Sequence, residues 1–134
     1  ELRPPNKAAW QLHDQIIADW FAGKPETTFP GGENFLELVE RTRYGLWEAT
    51  RGRTNQHIVI AAHGGCITAL VRSICSNAQN GLSYVNMYNC AITTIEFSTH
   101  GDEMSGFLRS WANATHLSGE IAPLAVPVLT TPKA

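Results

Sequence analysis

The chain has 134 residues, 43% of them hydrophobic, and its 10 Lys and Arg against 12 Asp and Glu leave a net charge of −2. That size and apolar content suit one domain with a buried core, and no apolar run approaches the ~20 residues that span a bilayer. The near-balanced charge excludes a general attraction to nucleic acid or to an anionic membrane, so any anion site must be local.

In chain order, Pro4 and Pro5 mark an extended lead-in, after which Ala9, Leu12, Ile16 and Trp20 keep a helical spacing, so a first helix is predicted over about Lys7 to Phe21. Gly23 and Pro25 end it. A loop follows to Glu33, closing on Phe29-Pro30-Gly31-Gly32-Glu33-Asn34, where Asn34 can cap a helix and Glu37 can reach back three residues in a capping box. Phe35, Leu38, Val39, Thr42, Leu46 and Ala49 then form one face of a second helix, closed by Gly52.

Ile58-Val59-Ile60-Ala61-Ala62 reads as a strand covered on both faces, as in a parallel sheet, and it delivers His63 to the mouth of a third helix. Ile67, Leu70, Val71 and Ile74 recur at i, i+3, i+4 and i+7 and are predicted to face that sheet. Gly64 and Gly65 lack Cβ, so their backbone can approach a ligand closely at a helix start carrying about half a positive charge. A phosphate is the natural guest; the plainer reading is a strand-end histidine bonded to a neighbouring loop. Asn77 to Gly81 form a turn, Leu82 to Asn89 carries no clear pattern, and Ala91 to Phe97 with Gly106 to Ala112 is predicted to be an antiparallel hairpin, with turn residues from Ser98 to Ser105. The tail from Glu120, with Pro123, Pro127 and Pro132, reads as extended. Trp10, Trp20, Trp47 and Trp111 are read as packing residues.

Cys66, Cys75 and Cys90 are odd in number and lack Cys-x-x-Cys spacing, which argues against a disulfide framework and a zinc site and for free thiols in a reducing, cytoplasmic setting. The histidines are scattered without His-x-x-x-His spacing, so no metal site is expected. Glu1 in place of an initiator Met is read as a processed, trimmed or cut N-terminus.

Four segments, in order, resemble the histidine phosphatase superfamily, also called phosphoglycerate mutase-like: Pro30-Gly31-Gly32-Glu33 with Arg41 following, Ile58 to Gly65, Asn89-Cys90-Ala91-Ile92, and Asn113-Ala114-Thr115-His116-Leu117. Asn34 stands where the family has Ser, which preserves capping. The resemblance implies an α/β fold, a three-layer sandwich with a mainly parallel sheet flanked by helices, and covers residues 1–134 as a single partial domain with an extended tail over 120–134. It implies phosphoryl transfer through a phosphohistidine, by a phosphatase or mutase acting on a small-molecule phosphate ester, without metal or cofactor.

The family's opening Arg-His-Gly segment, which carries the nucleophilic histidine, does not occur in this sequence. The chain therefore looks like the C-terminal two-thirds of a family domain, and it is expected to be inactive alone. By resemblance His63 is the second imidazole of the pocket, with Gly64 and Gly65 holding phosphate oxygens. Glu1 is the candidate general acid, against the reading of a solvated terminus. Glu33 is expected to fix its loop and cap the next helix, with Arg41 either paired to that loop or solvated. His116 matches a structural position near the pocket. The rival reading is a non-catalytic binding or assembly module lacking the nucleophile strand, whose exposed backbone and apolar faces would favour a homodimer or strand-swapped assembly.

Overall fold

The computed structural model describes residues 6–78, 87–101 and 103–118. They form three helices, α1 (Lys7–Phe21), α2 (Phe35–Thr50) and α3 (Gly64–Ile74), and a two-stranded antiparallel sheet of β1 (Ile92–His100) and β2 (Glu103–Asn113). The chain divides into two compact units, Glu1–Ala49 and Thr50–Ala134.

In the first unit α1 starts where Asn6 caps it, its Oδ1 accepting from the Ala9 N–H at 2.8 Å. It stops in a Schellman motif: the Lys24 N–H reaches back to the Asp19 carbonyl at 3.0 Å across Gly23, whose φ of +86° only glycine adopts at no steric cost. Both bounds match the predicted helix. The start of α2 is the expected capping box, with the Asn34 N–H on Glu37 Oε2 at 2.9 Å and the Glu37 N–H on Asn34 Oδ1 at 3.0 Å. Ile16 and Trp20 of α1 and Leu38 and Leu46 of α2 are buried.

The second unit departs further from the sequence reading. Ile58–Ala62 was expected as a buried strand of a parallel sheet. Among the described residues it pairs with no strand and lies exposed, Val59 at 96%. Apolar β-branched character sets only what a segment can pair with; pairing itself needs a neighbouring strand. The buried side of α3 is correspondingly shifted: Val71 and Ile74 are buried as expected, but Thr68 and Ala69 are buried beside them, whereas Ile67 and Leu70 are half-buried.

What α3 packs against is the hairpin. Gly106 of β2 comes so close to the end of α3 that a Cβ there would sit 3.0 Å from Cys75 Sγ and 3.3 Å from Ile74 Cγ1. Cys75 forms a lone parallel bridge with Gly106, and two residues on the Asn77 side-chain amide takes the place of a strand's backbone. Its Nδ2 donates to the Leu108 carbonyl at 3.0 Å and its Oδ1 accepts from the Leu108 N–H at 2.9 Å. The hairpin was expected, but its turn is tighter than the sequence suggested. Ser98 faces Ser105 as a paired position, and the chain reverses after His100, which faces Glu103, at Gly101 with φ +63°. The predicted turn over Asn77 to Gly81 begins as expected at Asn77 and Ala78; its remainder, Leu82 to Asn86 and the tail from Glu120 lie outside the described residues.

Candidate functional site

His63 is the N-cap of α3, in extended conformation (φ −86°, ψ 151°), and its side chain makes no capping hydrogen bond. The His63 carbonyl accepts the first helical bond, from the Ile67 N–H at 3.0 Å, so the N–H groups of Gly64, Gly65 and Cys66 precede the helical ladder. The imidazole is exposed, and the first turn of α3 carries no acidic residue to repel an anion. Arg72, in the last turn, complements the negative end of the helix dipole. From inside, the buried Thr68 hydroxyl donates to the Gly64 carbonyl at 2.8 Å and holds the turn closed.

The two glycines sit in different surroundings, although one shared reason was expected for both. A Cβ on Gly64 would lie 3.2 Å from Met87 Sδ, so this glycine admits a buried neighbour. A Cβ on Gly65 would meet nothing within 4 Å, so no neighbour among the described residues calls for glycine there. Neither has a positive φ, so a left-handed backbone requires glycine at neither position, and close approach accounts for glycine at Gly64 alone. His63, Gly64 and Gly65 thus meet at one helix start. Glu1, the candidate acid, lies outside the described residues.

The Pro30-Gly31-Gly32-Glu33 loop of the first unit is a shaped element. Gly32 donates its N–H to the Phe29 carbonyl at 2.9 Å across Pro30 and Gly31, with Gly31 at φ +69°, the pattern of a type II turn. Trp20 Nε1 donates to the Thr27 carbonyl at 2.6 Å, and the Phe29 ring packs edge-on to Trp20 with centroids 5.5 Å apart. At the loop's end Glu33 and Arg41 form a two-point ion pair, Nε to Oε2 at 3.0 Å and Nη2 to Oε1, which settles the two readings of Arg41 in favour of pairing. Hydrogen bonding from that guanidinium, reinforced by its charge, holds the Glu33 carboxyl below its ordinary pKa of 4.5. Glu33 fixes the loop as expected; the capping it was also assigned falls to Asn34 and Glu37.

Other predicted assignments resolve plainly. His13 stands beside Asp14, Nδ1 to Oδ1 at 3.1 Å, with its ring against Trp10 and Phe29. Of the tryptophans, Trp20 is buried but Trp10 is 53% exposed, contrary to its reading as a packing residue. The three cysteines are free thiols, and burial raises the pKa of Cys75. Two contributions went unread in the sequence. His116 Nε2 donates to the Cys90 carbonyl at 3.1 Å, and Met87 lies under Gly64. The unpatterned stretch around Met87 carried no signal for that contact.

The family model described as the histidine phosphatase superfamily, branch 1, matches residues 5–109. The chain belongs to this superfamily. It is 30% identical over 97 residues to the uncharacterized phosphatase PhoE of Bacillus subtilis (strain 168), covering 72% of this chain and 48% of that protein. It is 20% identical over 113 residues to a metal-independent phosphoserine phosphatase of Arabidopsis thaliana, covering 84% of this chain and 44% of that one. The chain thus spans about half the length of the curated relatives it matches. No solved structure matches it. Among the described residues, no group of three or more His, Cys, Asp and Glu side chains could hold a metal, and no helix is long and apolar enough to cross a membrane.

Proposed function

We propose that the intact protein is a phosphomonoester phosphatase, or a phosphoglycerate mutase-like phosphotransferase, working through a phosphohistidine without metal. The observation that carries this reading is the start of α3: an exposed, uncapped His63 followed by amides of which Gly65 faces open space. In this scheme a nucleophilic imidazole forms an N–P bond as the ester P–O bond breaks, and water then cleaves the N–P bond. His63 donates to a phosphoryl oxygen while the Gly64 and Gly65 amides neutralise developing negative charge, favouring the transition state over the bound ester. The leaving oxygen needs a proton, and Glu1 is the candidate donor. The metal-independent phosphoserine phosphatase among the relatives favours a small phosphate ester as substrate.

These 134 residues contain no Arg-His-Gly, the segment that by resemblance carries the nucleophile. We propose that it stands on a segment completing the three-layer, mainly parallel domain. Assay of the 134-residue chain against p-nitrophenyl phosphate tests this. No turnover is expected; turnover abolished by His63→Ala would show that a histidine within the chain serves as nucleophile.

Exposure of Ile58, Val59 and Ile60 favours a second reading, a non-catalytic assembly module that pairs this segment with another copy. Light scattering on the purified chain separates the two. A dimer that Val59→Lys dissociates supports the module, and a monomer in both forms removes it.

A further inference from the structure

We propose that Met87 is a positioning residue for the oxyanion site, its buried thioether setting the direction of the Gly64 amide. The inference rests on the oxyanion reading above and adds a residue to it. Met87 is 7% exposed, and its Sδ, Cβ and Cγ all lie within 3.2 to 3.8 Å of the point where a Gly64 Cβ would stand. A thioether fills an irregular gap without demanding hydrogen bonds, and here it fills the space that a side chain on Gly64 would take. On the carbonyl side of the same residue the Thr68 hydroxyl grips the Gly64 carbonyl at 2.8 Å, in the peptide unit that also carries the Gly65 N–H. The first residue of α3 is thus clamped between a hydrogen bond and a packed sulfur. Gly65 shares the Thr68 hold through its N–H but has nothing near its Cβ position, so its outer face is open.

Met87 is itself held. The next four residues, Tyr88 to Ala91, make a turn in which the Ala91 N–H reaches the Tyr88 carbonyl at 3.0 Å, with Cys90 at φ +64°. A positive φ on a non-glycine residue is strained and persists only where surroundings over-determine it. The surroundings here include His116, whose Nε2 donates to the Cys90 carbonyl at 3.1 Å. Beyond the turn β1 begins at Ile92, so Met87 is fastened to the hairpin by a short, pinned connection. An amide pre-aimed in this way needs no reordering when an oxyanion arrives, which is the condition under which such donors stabilise charge most.

The test pairs an affinity with a coupling. Inorganic phosphate is titrated into the 134-residue chain while the Gly64 and Gly65 amide resonances are followed. Met87→Val, which keeps a buried branched stub but lacks the sulfur, and Met87→Ala are expected to weaken phosphate about 5-fold or more, whereas Met87→Leu stays within about twofold of wild type. Wild-type affinity in both shortened variants overturns the inference while leaving the oxyanion reading intact. Absence of any phosphate-dependent shift in the wild type overturns that reading, and the inference with it. Thermal unfolding supplies the second arm. Gly64→Ala is expected to lower Tm by about 5 °C in the wild type, through overpacking against Met87, and by less than half as much in the Met87→Ala background. Equal losses in the two backgrounds would mean that the contact carries no load, and the proposal would fail there too.

Discussion

Side chains that matter at the start of α3 act by being small, by being uncapped or by packing beneath a peptide, and only part of this can be read from sequence. Gly64-Gly65 announces close approach of something, but the letters are identical for an internal neighbour and for a ligand. Only the structure assigns Met87 to the first and open space to the second. The expected outcome is a split. Gly65→Ala should leave Tm within about 2 °C of wild type while removing phosphate-dependent shifts, whereas Gly64→Ala should lower Tm. Equal Tm losses in both variants, read by circular dichroism melts, would contradict the division. Glu33 and Arg41 give a pH-dependent case. The folded Glu33 carboxyl titrates below its ordinary value of 4.5, so the pair stabilises the first unit above that value and its contribution fades as pH falls through the lowered one. Both partners are substantially solvent-exposed, 58% and 35% by side chain, so Arg41→Ala is expected to cost at most about 1 kcal/mol at pH 7 and nothing measurable near pH 2. Urea midpoints at the two pH values check this. An undiminished cost in acid would show that Arg41 acts through packing.

Among the elements, those governed by local rules were the legible ones. α1 follows from a 3.6-residue spacing closed by Gly23, and α2 from the Asn34 and Glu37 box, both of which concern residues three or four apart. The hairpin was legible as a pair because its strands alternate, though its turn was drawn too long because Ser98 and Ser105 resemble loop residues while pairing across the strands at an Oγ separation of 2.9 Å. The fastening of α3 to β2 was not legible, since it depends on a glycine and an asparagine whose partners lie about 31 positions away. Gly106→Ala should therefore cost about 1 to 3 kcal/mol, because Cys75 Sγ and Ile74 must both give way. Asn77→Ala should cost about 1 to 3 kcal/mol through the two hydrogen bonds lost to Leu108. Chemical denaturation of each variant measures these costs, and values near zero would mean that the hairpin and α3 are held together by something else.

At the scale of the whole molecule, the sheet reading met its limit at Ile58–Ala62. The apolar β-branched run reads as a pairing segment, yet pairing is a relation between segments, and the described residues supply no partner strand. The α/β character and the family were accessible from four short motifs in order, while the extent of the sheet was not. An exposed apolar segment placed directly before His63 means that whatever covers it also borders the proposed site. Covering it should thus raise thermal stability and phosphate affinity together. The proposed function stands or falls on whether the start of α3 grips an oxyanion. A titration of the chain with inorganic phosphate, followed by amide and imidazole resonances, measures this most directly. Saturable shifts centred on His63, Gly64 and Gly65 that His63→Ala diminishes are expected; shifts confined to other parts of the chain, or none at saturating phosphate, would contradict oxyanion binding there.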